Sequence, residues 1–572
     1  MLYKLICVTF YILCICNISV ESVEVQTTLG KIKGKLVEDP ITGACYYAFL
    51  GIPYAEPPVG ALRFKPPVQR QTCPTIIDAT KPGWVCPQVE GYYTRNEMNE
   101  DCLNFNIYTP SNNNLTKSIP VIFFVHNGYY TLLSGNAEPI FGPQLFMLNE
   151  VVLVTVNYRL GALGFLSLCT EEVSGNAGVK DVLLALKIIR EIIWRFGGDG
   201  HKITLMGAGS GALIAELLML TKESAGLFQS VILQSGSVLS PEVLQLNPRE
   251  NALLLSRKLN INVSNDECMI EKLRNVSPFE IVEAQEVISR KDPERGFGNF
   301  RPFKPVVEIE CGSAIITRTP LELIRDGEIC DVPMYIGYNN QEAAELFRLL
   351  KREPELINRL NGNFDLLVPA DIKYPYRSVA RRDLVERIRD FYFNGGDICF
   401  TNFQNFVNLI SDTRCNRPID FLVQLFIEKK KAPVYYYIFA GDTELNRLNA
   451  YYTGIEYPGA LQFDELGYIF LTEVTKPKYQ CLGSIAKKIQ TTVLLNIKTF
   501  VYNGAPAPNA LVDVWPEAGE KRFHVVQENS VIPIYHRPLP ERIGFWNSVY
   551  EEFYNSKYYT AKYLCSNDTI QY

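Results

Sequence analysis

Short apolar runs bounded by turn residues mark the interior strands of this chain. Ile119–Val125 and Val151–Val156 are almost wholly apolar, the pattern of strands buried on both faces. Ile203-Thr204-Leu205-Met206 is a third such run, passing into Gly207-Ala208-Gly209-Ser210-Gly211-Ala212. Leu213-Ile214-Ala215-Glu216-Leu217-Leu218 then reads as a helix. Strand, tight glycine turn and helix in that order are the setting in which a hydrolase presents its serine, G-x-S-x-G. Here the residue between the two glycines is itself glycine, Gly209. Glycine has no side chain with which to attack a carbonyl.

At the N-terminus, Lys4 precedes the apolar stretch Leu5–Cys16, and Val20 and Ser22 precede Val23. A positive charge followed by an apolar stretch too short to span a bilayer predicts a secretory signal peptide over 1–22. A buried N-terminal helix is the competing reading. The expected layout is that signal, a single domain over 23–555 and a short tail over 556–572. No other stretch approaches 18 consecutive apolar residues, so a secreted, extracellular chain without a membrane anchor is expected. Four sequons, at Asn114, Asn262, Asn275 and Asn567, are then candidate glycosylation sites. Twelve cysteines outside the signal fit an oxidising compartment. The net charge of −6 disfavours nucleic acid or anionic lipid as partner. Nothing in the sequence points to a metal or an organic cofactor.

Ordered landmarks run along nearly the whole chain. They include Phe49-Leu50-Gly51-Ile52-Pro53-Tyr54-Ala55-Glu56-Pro57-Pro58-Val59-Gly60, Glu100-Asp101-Cys102-Leu103-Asn104 and Asn157-Tyr158-Arg159-Leu160-Gly161. Gly175-Asn176-Ala177-Gly178, Phe196-Gly197-Gly198-Asp199 and Gln234-Ser235-Gly236-Ser237 follow. From about Val23 to about Tyr554 the chain resembles the type-B carboxylesterase/cholinesterase family. The resemblance implies an α/β-hydrolase fold, with a central, mostly parallel sheet and helices on both faces. It also implies one domain, where length alone would allow three or four. It pairs Cys86 with Cys102 in a disulfide and assigns Arg63–Glu100 and Arg159–Asp181 to buried structural ion pairs. The family's other two bridges are not kept, so Cys268, Cys311, Cys330, Cys399 and Cys415 are expected to pair differently, Cys399 with Cys415 being one possibility.

Acyl transfer on this fold uses a serine, then an acid, then a histidine in chain order. The resemblance places Gly209 at the nucleophile, Glu342 at the acid and Gln462 at the base. Glutamine does not accept a proton near neutral pH, though its amide can hydrogen-bond to Glu342. The oxyanion hole falls at Gly128, Tyr129 and Ser210, in a loop where Asn127 and Tyr129 flank a single glycine; a positive φ at Tyr129 would carry a steric cost. Ser210 is a possible replacement nucleophile if the turn shifts by one residue; otherwise it is simply an early helical residue.

Without serine and histidine, the chain is expected to belong to the non-catalytic branch of the family, with glutactin, neurotactin, gliotactin and the neuroligins. It is then not an enzyme but a secreted glycoprotein in cell adhesion or matrix, binding an extracellular protein partner, with a homodimer left open. Two other readings stand beside it: an ester hydrolase of residual or unconventional activity through Ser210, and a carrier of a lipophilic small molecule.

Overall fold

The computed structural model describes residues 22–554 apart from 114, 137–138, 242, 263–264, 292–300, 373–377, 447–456, 507–514, 516, 520–522, 527–530 and 535. Residues 1–21 of the expected signal, the tail, Asn114 and Asn567 lie outside the described residues. Ser22 already pairs with Lys35 in the first strand. Asn262 and Asn275 are exposed.

Among the described residues, thirteen strands form one mixed sheet. In chain order they are β1 (Ser22–Thr27), β2 (Gly30–Glu38), β3 (Cys45–Pro53), β4 (Ile77–Asp78), β5 (Asn104–Pro110), β6 (Ile119–Val125) and β7 (Val152–Val156). They continue as β8 (Gly198–Ala208), β9 (Ser230–Gln234), β10 (Met334–Asn339), β11 (Val434–Phe439), β12 (Phe523–Val526) and β13 (Val531–Ile534). Across the sheet they lie β1-β2-β3-β5-β7-β6-β8-β9-β10-β11-β12-β13, with β4 beside β2. The centre from β7 to β12 is parallel. One edge is antiparallel from β1 to β7, and β13 closes the other antiparallel to β12.

Helices cover both faces, which is why β6, β7, β9 and β10 are buried at nearly every position rather than at every second one. Along β6, Val121, Phe123 and Val125 pack into one layer with Ile189 of helix Ala177–Ile192 and Ile214 of helix Ser210–Met219. Ile122 and Phe124 pack into the opposite layer with Ile489 and Phe500 of helix Ser484–Asn503. A third apolar cluster joins Leu350, Leu384 and Phe406, from helices between β10 and β11, to Trp546 in helix Pro540–Phe553.

Arg63 donates from Nε to Glu100 Oε1 at 2.8 Å, and its Nη2 meets Oε2. Arg159 forks onto Asp181 at 2.8 and 2.6 Å. Both pairs are buried. Cys86 and Cys102 form a disulfide. The alternative pairing of the remaining cysteines is not found: Cys268, Cys311, Cys330, Cys399 and Cys415 are all free thiols. Cys415 is buried against Glu342, whereas Cys399 is exposed with its sulfur at the Thr401 hydroxyl. Cys169 is held in a disulfide.

Candidate active site

Strands β6, β8 and β10 deliver Asn127, Gly209 and Glu342 to the same end of the sheet, the carboxyl end where open α/β sheets build their sites. Gly209 sits at the tip of the turn with φ 50° and ψ −120°, a conformation that is strained for any residue with a Cβ. Its N–H donates to Gln234 O at 2.8 Å, which ties the turn to β9. The flanking glycines are demanded by contact: a Cβ on Gly207 would lie 2.3 Å from Gly211 O, and one on Gly211 2.0 Å from Val125 O. The elbow is therefore intact in its backbone and missing only its side chain.

The turn is not shifted by one residue. Gly209 holds the tip and Ser210 begins the helix Ser210–Met219. Ser210 is only 6% exposed, and its Oγ has no hydrogen-bond partner. The phenol of Tyr158 lies beside it and donates to His126 O at 3.1 Å. His126 is buried, with Nδ1 donating to Asn127 O at 2.6 Å. Burial lowers its pKa to about 4, so the ring is neutral at physiological pH.

The oxyanion loop runs through Gly128 at φ 121° and Tyr129 at φ 54°. A Cβ on Gly128 would lie 2.0 Å from Leu132 O, so glycine is required there. Tyr129 does take the costly positive φ. Its hydroxyl lies 2.8 Å from Gln462 Oε1 and 2.9 Å from Glu345 Oε1, an anchor that compensates the strained backbone. Among the described residues, no backbone carbonyl or side chain accepts the N–H groups of Gly128, Tyr129 or Ser210. These three donors are the groups an oxyanion hole needs.

The segment carrying Gln462 is docked on the acid loop. Ala460 N–H donates to Asn340 Oδ1 at 2.9 Å, and Gln341 N–H donates to Ala460 O at 2.9 Å. The expected link between Glu342 and Gln462 is nevertheless not made. Glu342 Oε1 accepts from Asn339 N–H at 2.7 Å, its Oε2 has no hydrogen-bond partner, and Gln462 Oε1 takes the Tyr129 hydroxyl instead. Glu465 shares the Glu342 pocket and accepts from the Asn339 amide. Burial pushes the Glu342 carboxyl up to about 8, helped by the neighbouring Glu465, which burial itself raises to about 7.

Phe463 is the site residue that sequence reasoning missed. It adopts φ 72°, and its ring lies over Gly209. A Cβ at 209 would meet Phe463 Cε1 at 2.7 Å and Cζ at 2.8 Å. Beyond the ring, a cavity of about 380 Å³ is lined by Asn127, Gly128, Tyr129, Arg348, Arg352 and Phe463. The space beside the elbow is thus taken by Phe463. No local signal in the sequence marks a phenylalanine for that role. Among the described residues, no cluster of His, Cys, Asp and Glu could hold a metal ion, and no helix is long and apolar enough to cross a membrane.

The carboxylesterase family matches residues 21–546. The chain is 31% identical to venom carboxylesterase-6 of Apis mellifera, over 80% of this chain and 82% of that one. It is 30% identical to esterase B1 of Culex pipiens, over 93% and 99%. The crystal structure of juvenile hormone esterase from Manduca sexta, with OTFP covalently attached, superposes with a TM-score of 0.81 at 26% identity, covering 93% of this chain and 100% of that one. These relatives carry the names of esterases, and this overturns the expected place in the non-catalytic, adhesion-like branch. The expectation that the chain is not an enzyme is corrected on the same finding. Its physical error was to equate two lost side chains with a dismantled site, whereas the elbow, the three N–H donors and the buried acid all remain. Gly209 carries no hydroxyl and Gln462 no imidazole, so these two residues themselves supply neither a nucleophile nor a base.

Proposed function

The chain belongs to the carboxylesterase family, and on that premise we propose that it is a secreted carboxylic ester hydrolase of unconventional chemistry, acting through Ser210. The observation that carries this reading is the Ser210 hydroxyl, buried at the elbow without a hydrogen-bond partner and on the same residue as one of the three unpaired N–H donors. An unsatisfied buried hydroxyl costs on the order of 1–3 kcal/mol and calls for a reason.

In this reading the acyl oxygen takes the N–H groups of Gly128, Tyr129 and Ser210. Ser210 Oγ bonds to the acyl carbon, the alcohol leaves with a proton, and water releases the acid. A carboxylate replaces histidine as proton acceptor. Burial holds Glu342 at about 8, Glu465 at about 7 and, on the helix of Ser210, Glu216 at about 8, so these groups titrate where an imidazole would. Turnover therefore rises with pH as they ionise. It is slow, because Ser210 lies behind the tip of the turn and Phe463 must swing away before an ester reaches it. Export is supported by the charged-then-apolar N-terminus and by similarity to a venom carboxylesterase.

The test is hydrolysis of short p-nitrophenyl esters by the purified protein. The expected result is slow turnover above buffer, abolished by Ser210→Ala and increased by Phe463→Ala. No turnover in either the native protein or Phe463→Ala, or turnover unchanged by Ser210→Ala, would overturn the assignment.

A further inference from the structure

A second cavity, of about 260 Å³, opens away from the elbow, between the segment after Ser237 and the helices Arg417–Lys429 and Pro540–Phe553. Leu239, Leu244 and Leu321 give it an apolar wall. Its one deeply buried charged group is Arg417, which is 6% exposed. The guanidinium lies 3.8 Å from the Tyr550 ring centre and 4.5 Å from that of Phe421, so its plane is clamped by aromatic rings. Nε donates to Asn547 Oδ1 at 3.3 Å. Among the described residues, no acceptor meets Nη1 or Nη2, and no carboxylate forms an ion pair with this arginine.

Nearby acids are otherwise engaged. Asp420 is paired with Arg537 at 3.0 Å and holds the Gln424 amide, and Asp371 accepts the Tyr550 hydroxyl at 2.9 Å. Arg325 and Glu551 stand exposed at the rim with opposite charges. Net charge therefore does not choose the ligand; the two unfilled donors do. A guanidinium held between two rings in the wall of a cavity, with Nη1 and Nη2 unfilled, matches a carboxylate fork to fork. Asp371 and Asp420 offset part of the cost of burying the Arg417 cation from a distance, and an anion bound on the two open donors relieves more of it.

We propose that this cavity binds a medium-chain aliphatic carboxylate, with its two oxygens on Arg417 Nη1 and Nη2 and its chain along Leu239, Leu244 and Leu321. The site is separate from the elbow and does not depend on ester hydrolysis.

The experiment is calorimetric titration of the full chain with octanoate, and with 1-octanol as the neutral comparator. Octanoate is expected to bind saturably at one site and more tightly than octanol, with affinity reduced about tenfold or more by Arg417→Gln. Arg417→Lys is expected to keep only part of the affinity, since an ammonium lacks the fork. Leu244→Trp fills the cavity without touching the arginine and should abolish binding. Leu349→Trp, in the cavity above Phe463, and Ser210→Ala should leave it unchanged. Equal binding of octanol, an unaffected Arg417→Gln, loss of binding in Leu349→Trp instead of Leu244→Trp, or no saturable binding would each overturn the assignment. Should Arg417→Gln fail to fold, the octanol comparison and the two tryptophan variants still decide it.

Discussion

The ring of Phe463 occupies the space that a side chain on Gly209 would enter, with Cε1 2.7 Å from the position of that absent Cβ. The two residues are 254 positions apart, and the contact exists because the loop after β11 docks on the acid loop after β10. It makes the glycine and the phenylalanine a matched pair: each occupies room that the other leaves.

Restoring serine at this elbow alone should destabilise the protein. Gly209→Ser forces its Cβ against Phe463 and places an L-residue at φ 50°, which together should cost about 1–3 kcal/mol. Phe463→Ala in the same chain should recover the packing part of that loss. Urea denaturation of the single and double variants measures it, and an undiminished midpoint for Gly209→Ser would mean that the ring does not hold this space.

Stability should fall as pH rises from about 5 to about 8. Burial raises the folded pKa of Glu342 to about 8 and of Glu465 to about 7, above the value near 4.3 of an unfolded glutamate. Through this window the folded state binds more protons than the unfolded one, so the slope of unfolding free energy with pH is negative. Their contribution is fully present below the unfolded value and is lost as pH climbs through the folded one. Glu342→Gln, a neutral isostere, should flatten that slope and gain on the native protein at the alkaline end. An unchanged slope in chemical denaturation at the two pH limits would refute the placement of this acid.

The Arg159–Asp181 pair should be expensive to break from one side. Arg159→Met leaves the Asp181 carboxylate buried with its main cation gone, a loss of about 3–5 kcal/mol. Replacing both residues with apolar ones of similar volume should cost clearly less than that single change. Thermal unfolding of the two variants compares them, and equal losses would argue against an uncompensated buried charge as the cause.

The sheet was legible because burial on both faces leaves its mark residue by residue: Ile119–Val125 and the run after Val151 are almost wholly apolar and became β6 and β7. The elbow was legible for a local reason too, since Gly207 and Gly211 are glycines that the approach of neighbouring backbone requires. The partner of Gln462 was not. A glutamine can hydrogen-bond to any group within reach, and the order of residues does not say whether Glu342 or Tyr129 comes closer.

By itself, then, the order of residues determined the strand pattern, the family, the absent hydroxyl at 209 and the absent imidazole at 462, because each is a property of a side chain or of its immediate neighbours. Only the tertiary structure decided that Phe463 covers the elbow, that Gln462 binds Tyr129, that Cys268, Cys311, Cys330, Cys399 and Cys415 stay unpaired and that Arg417 lines a cavity with open donors. These depend on which distant segments come together, and that is set by packing across the whole sheet rather than by any stretch of chain.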